Sequence, residues 1–185
     1  MTFSIDRPTS LEEAHLTSPV AALEGALDEL ARVVGGVSPQ AYSSRLLSVA
    51  SGSIGEHVRH CLDHVSALVS ADPLACLSYD RRERGTAVET DARYALRCIH
   101  LLRIKVAGGR WSARLDDPIC VTSTIARDGA ELISMSTVGR ELAFVLNHTI
   151  HHQAMIGLLA SLHGCDVPVG FGYAPSTPRQ VNKDA

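Results

Sequence analysis

The chain has 185 residues, 45% of them hydrophobic, which suffices for one domain with its own core and argues against two. Its 17 Lys and Arg stand against 20 Asp and Glu, a formal net charge of −3, so it lacks the basic field that nucleic acid or an anionic membrane surface selects. One Trp, three Phe and four Tyr are too few for a platform on which single strands stack.

Residues 1–17, with Pro8 and an isolated LEEAHL patch, read as a loosely held N-terminal arm. Ser18-Pro19 is a helix start, Ser as N-cap and Pro at the first helical position, and Leu23, Leu27, Leu30, Val33 and Val34 give that helix its apolar face up to Gly35-Gly36. A connection with Pro39 and Tyr42 follows, and the Leu46-Leu47 patch in it suggests a short turn. The second helix is predicted over 53–70, with Ile54, Val58, Cys61, Leu62, Val65, Leu68 and Val69 on much the same side as three histidines.

From 71 to 90 the pattern breaks at Asp72-Pro73 and continues into SYDRRERGTAVET, a charge run that reads as a solvated loop. The functional alternative is that Arg82 or Arg84 folds over a site and holds an anionic substrate, since a planar guanidinium suits carboxylate or phosphate. A third helix is predicted over 90–106, with Ala95, Leu96, Ile99, Leu102 and Ile104 on its apolar side, His100 near the surface and Gly108-Gly109 at its end. Trp111 is most simply a packing anchor. Residues 119–125 and 131–135 are β-branched and alternating around Arg127-Asp128-Gly129, a β-hairpin signature. Ser136-Thr137 caps the last helix, which ends at Gly164. The Gly- and Pro-rich residues 166–185 form an extended tail packed on the helices, with Tyr173 either an anchor or a residue that closes over a site.

The five cysteines are scattered, odd in number and without C-x-x-C spacing, and MTFSIDRPTS has neither a basic n-region nor an apolar h-region. With no apolar run near the roughly 18 residues of a membrane span, these features predict a soluble, cytoplasmic protein with reduced thiols.

The chemistry is concentrated in two histidine clusters. His148 and His152 lie four apart in RELAFVLNHTIHHQAMIGLLASLH, so both imidazoles can point at one metal ion without bending the helix, while His151 is rotated away. His57, His60 and His64 form a stripe at i, i+3 and i+7 on the second helix, and any of them can be the third ligand by spacing alone. Three neutral imidazoles leave coordination positions open, the mark of a working metal rather than a structural one. Alone, either cluster reads as core-edge histidines that satisfy a backbone carbonyl. Cys61 points to a neighbouring face and reads as packing. A metal-dependent hydrolase needs a carboxylate base beside the ion, and the nearest in sequence, Glu56 and Glu141, are poorly placed, Glu141 lying about 10 Å along the axis from His148.

SIGEHVRHCLDHV early in the chain, paired with RELAFVLNHTIHHQAMIG near its end across a hairpin-containing segment, resembles the DinB-like family of metal-binding four-helix proteins over residues 18–165. The resemblance implies a mainly α fold, a four-helix bundle with a long crossover and a small β-hairpin between its third and fourth helices. It places the metal on His60, which precedes Cys61-Leu62-Asp63, and on His148 and His152; His64 reads as a residue that hydrogen-bonds a ligand or as one that lies one turn beyond the site. It also implies a zinc, nickel or iron ion, a homodimer, and in characterised members a transferase or isomerase reaction that uses a low-molecular-weight thiol. The alternative is a metal-binding, stress-linked bundle without turnover, in which the ion adds folding energy.

Overall fold

The computed structural model describes residues 18–46, 52–72, 74–80, 84–109, 111 and 113–177. The expected arm at 1–17, Leu47, Arg82 and the last eight residues of the tail lie outside these. Among the described residues the fold is mainly α, with five α-helices and one three-stranded sheet. The helices are α1 (Pro19–Gly36), α2 (Pro39–Ser43), α3 (Ile54–Val69), α4 (Ala92–Gly108) and α5 (Val138–Leu162); the strands are β1 (Leu77–Ser78), β2 (Pro118–Thr124) and β3 (Glu131–Thr137). No described helix is long and apolar enough to cross a membrane.

Each long helix starts where its capping chemistry dictates. Ser18 Oγ accepts from the Val20 amide, with Pro19 at the first helical position. Ser53 and Glu56 form a reciprocal capping box: the Glu56 amide donates to Ser53 Oγ, and the Ser53 amide donates to Glu56 Oε2. Asp91 caps α4 and Thr137 caps α5. At the far end of α5, Gly164 takes φ +73°, the left-handed conformation that closes a helix.

The core is shared by the four long helices: α1 packs on α4 and α5, and α3 packs on α5 and α4. Leu23, Leu27 and Leu30 of α1, Ile54, Val58 and Val65 of α3, Ile99 of α4 and Leu142, Val145 and Ile156 of α5 meet there, all buried. α5 also places polar groups inside it: the Gln153 amide donates to the Ala26 carbonyl at 2.6 Å. Burying that amide is tolerable because it is paired. Ile104, Leu158 and Leu162 continue the apolar periodicity of their helices yet remain about half exposed.

Two connections carry more structure than expected. Tyr42, expected in a plain connection, sits in α2 with no exposed surface, and its hydroxyl donates to the Val88 carbonyl at 2.7 Å. Within 71–90, Leu77 is buried in β1, which pairs in parallel with β2, and Ala87–Glu89 forms a 3₁₀ turn against α3. Glu89 there is bonded to Arg59 at 2.7 Å. The charge run is thus anchored on both sides of residues 81–83.

The hairpin forms as expected, β2 and β3 antiparallel with Val121 opposite Ser134, and Gly129 takes φ +88° in its turn. Its outer strand stays open, with Ile133 and Met135 largely exposed. The cysteines depart from the expectation of five reduced thiols: Cys76 and Cys120 are joined by a disulfide, while Cys61, Cys98 and Cys165 are free. Sequence spacing conceals this pair because parallel pairing of β1 with β2 brings together residues 44 apart.

Candidate metal centre

α3 and α5 run against each other, and the stripes they present carry the histidines. One metal-ligand atom from each of His60, His148 and His152 lies within 4.8 Å of the other two, and all three residues are half-buried. Nε2 of His60 and Nε2 of His148 are 2.9 Å apart. Zn–N bonds of about 2.1 Å in tetrahedral geometry separate ligand nitrogens by about 3.4 Å, so a small outward movement of these rings suits an ion.

Of the three histidines on α3, the central one therefore joins the α5 pair. His57 instead reaches sideways, its Nδ1 3.0 Å from Nδ1 of His152, with its buried Nε2 lacking a hydrogen-bond partner among the described residues. His64, almost fully buried, has Nδ1 2.9 Å from the His60 carbonyl and stacks on His148 with ring centroids 3.9 Å apart. An imidazole held through its neighbours in this way is fixed in its rotamer. Burial, then the surrounding imidazoles His148, His57, His151 and His64, push His152 down to about 3, so its ring stays neutral near pH 7. His57 is lowered as well, chiefly by burial.

Beyond the histidines stands an aromatic wall. Tyr79, just after β1, lies parallel to His64 at 5.1 Å and packs on Phe144, itself 5.8 Å from His148. The Tyr79 hydroxyl donates to Glu141 Oε2 at 2.9 Å, and Ser136 Oγ donates to Glu141 Oε1 at 2.6 Å. Burial and the Glu141 carboxylate both raise the Tyr79 phenol, which stays protonated. Tyr79, Ser136, Arg140, Glu141 and Phe144 are among the residues lining a cleft of about 350 Å³ between the sheet and α5. A larger groove of about 860 Å³ lies between α3 and α4, and none of the histidines lines either cavity.

The remaining sequence candidates fall elsewhere. Arg84 is exposed, and the turn after it packs on the face of α3 that carries Gly55 and Arg59. Tyr173 is 64% exposed, whereas Phe171 is the buried aromatic of the tail, set against Gly157 of α5. Cys61 is wholly buried and packs toward the Thr149 carbonyl. Trp111 is half-buried against the core, its Nε1 donating to the Val106 carbonyl at 2.9 Å. Glu56 is held by Arg45 and by its capping box, and Glu141 by Tyr79 and Ser136, so both carboxylates are already engaged. Tyr79, Phe144 and Arg140 are additions that sequence reasoning missed. A local signal existed for the last two, one and two turns before His148 on its own helix; Tyr79 had none.

Comparison with known proteins leaves the family open. No family model matches the chain, and no solved structure matches it. A curated relative, the FK506-binding protein 5 of Rhizopus delemar, is 34% identical over 115 residues, which is 62% of this chain and 30% of that protein. The chain thus spans less than a third of the length of the relative it matches.

Proposed function

We propose that His60, His148 and His152 hold a divalent metal, zinc, nickel or iron, and that the chain is a metal-dependent enzyme of the thiol-dependent transferase type. The observation that carries this reading is the convergence of three half-buried imidazoles from two helices within 4.8 Å. Three neutral nitrogen donors fit such an ion and leave coordination positions open. When bound, the ion supplies a Lewis acid that acidifies a thiol to its nucleophilic form.

The chain's own residues supply the rest. His57 and His64 hold the rings of His152 and His148 in place, Phe144 and Tyr79 wall one side against water, and Arg140 offers a guanidinium beside the cleft for an anionic co-substrate. The cleft lined by Tyr79 and Phe144, whose rings stack on His64 and His148, is the room for a co-substrate that supports turnover over a purely stabilising ion. The engagement of Glu56 and Glu141 weighs against hydrolysis, which needs an available base.

We read the arrangement of α1, α3, α4 and α5 as a DinB-like four-helix bundle, working as a homodimer. Leu158 and Leu162, one turn apart on α5 and 48% and 52% exposed, are apolar surface that supports a second copy. The similarity to a protein named for FK506 binding reaches under a third of that protein and adds no substrate here.

Metal analysis of tag-free protein tests the reading. About one equivalent per chain after exposure to zinc, nickel or iron, lost in His148→Ala, is the expected result; a metal-free wild type after all three ions overturns it.

A further inference from the structure

β1 is only two residues long, and two ladder pairs, Leu77 with Val121 and Ser78 with Thr122, attach it to β2. So short a strand does not hold its register unaided. In that parallel register the preceding rung is Cys76 opposite Cys120, the position of the disulfide. On the other side Asp80 Oδ2 accepts from the Thr124 amide at 2.7 Å. Tyr79 sits between these two ties, so the covalent one fixes where its ring lies.

That ring is the outer support of the histidine cluster. It stacks on His64 at 6° from parallel, His64 stacks on His148, and the His64 ring also meets that of His60 edge-on at 4.5 Å. The hydroxyl bond to buried Glu141 sets the depth of the ring.

We propose that Tyr79 is a positioning residue for the histidine cluster and that the Cys76–Cys120 disulfide, by setting Tyr79, makes metal binding redox-dependent. This rests on the metal reading above. Cys76 is exposed and Cys120 half-exposed, so a reductant reaches the bond. Reduction by a small dithiol is balanced: its thiolate attacks one sulfur and expels the other, its second thiol displaces the first, and the dithiol leaves as a cyclic disulfide, with both cysteines as thiols. β1 then keeps its two ladder pairs, buried Leu77, Asp80 and the Tyr79 hydroxyl bond to Glu141 but loses its one covalent tie, so Tyr79 is held less firmly on His64 and His64 braces His60 and His148 less well. Loss of such outer support weakens metal sites by about 10- to 100-fold.

The test is a Co²⁺ titration of the full tag-free chain, read by visible absorption and by competition with a chromophoric chelator. It is run on oxidised protein and on protein reduced with a phosphine, which avoids adding a metal-binding thiol. Oxidised wild type is expected to bind one equivalent, and reduction to weaken binding at least tenfold with an altered cobalt spectrum. Cys76→Ser is expected to match the reduced protein and ignore the phosphine. Tyr79→Ala is expected to be weak even when oxidised, with Tyr79→Phe, which keeps the stacked ring, recovering most of the affinity. Equal affinity and spectrum in both redox states, with far-ultraviolet circular dichroism unchanged, overturns the proposal while leaving the metal site standing. Should Cys76→Ser fail to fold, the wild-type comparison and the two Tyr79 variants decide the matter. An oxidised wild type that binds no cobalt, zinc or nickel instead overturns the metal reading itself.

Discussion

Nε2 of His60 and Nε2 of His148 face each other at 2.9 Å across the seam between α3 and α5. Two neutral imidazoles can share one proton at that distance, but a cation that attracts both lone pairs gains more. An ion bound only by the folded chain adds RT ln(1 + [L]/Kd), about 2.7 kcal/mol at a hundredfold excess over Kd. Zinc is therefore expected to raise the melting temperature of wild-type protein, an excess of chelator to reverse the rise, and His148→Ala to abolish it. A melting temperature indifferent to zinc in the wild type contradicts this.

The halves of this site differ in how readable they are. His148 and His152 lie on one helix, four residues apart, where helical periodicity alone determines that they share a face. The matching stripe of His57, His60 and His64 suggests a partner helix, but the choice of His60 among the three comes only from the family resemblance. Tyr79 and Glu141 are 62 residues apart, and Cys76 and Cys120 are 44 apart. Such contacts depend on a two-residue strand and leave no periodic trace. Periodicity also misleads at Ile104, Leu158 and Leu162, which follow the apolar pattern of their helices yet stay about half exposed.

Glu56 links the capping of α3 to the preceding segment through its contacts with Ser53 and Arg45. Its hydrogen bond to Arg45 is the main reason its carboxyl lies below the ordinary 4.5. A carboxyl lowered on folding contributes stability that is present above its unfolded pKa and fades as pH falls through the folded one. Because Gln keeps the capping box, Glu56→Gln is expected to cost up to about 1 kcal/mol at pH 7, the range of an exposed ion pair, and less at pH 3. Urea unfolding at the two pH values checks it, and an equal cost at both removes the ionised carboxylate from the explanation.

Two helical glycines should respond oppositely to the same substitution. Alanine in an exposed helix is favoured over glycine by up to about 1 kcal/mol. A Cβ at Gly25 of α1 meets nothing within 4 Å, so Gly25→Ala is expected to stabilise by roughly that amount. A Cβ at Gly55 falls 2.0 Å from the Glu89 carbonyl oxygen and 2.8 Å from the Tyr42 ring, where α3 meets the 3₁₀ turn. The turn must move, and its ties to Arg59 and Tyr42 resist, so Gly55→Ala is expected to cost about 1–3 kcal/mol. Thermal unfolding of both variants decides the signs, and a stabilised Gly55→Ala contradicts the close packing of the turn on α3.

The cysteines make the last prediction, because burial separates three otherwise similar thiols. Cys61 has no exposed surface, and burial pushes its thiol up to about 12, so it presents neither access nor thiolate to a reagent at pH 8. Cys98 and Cys165 are half-exposed, and Cys76 and Cys120 are paired. A disulfide-forming chromogenic reagent is thus expected to titrate two thiols in the native oxidised chain, a third only in denaturant, and five after reduction and denaturation. Mass mapping should assign the late thiol to Cys61. Rapid labelling of Cys61 in the native chain is incompatible with its place between α3 and the Thr149 carbonyl, and four fast thiols are incompatible with the Cys76–Cys120 bond.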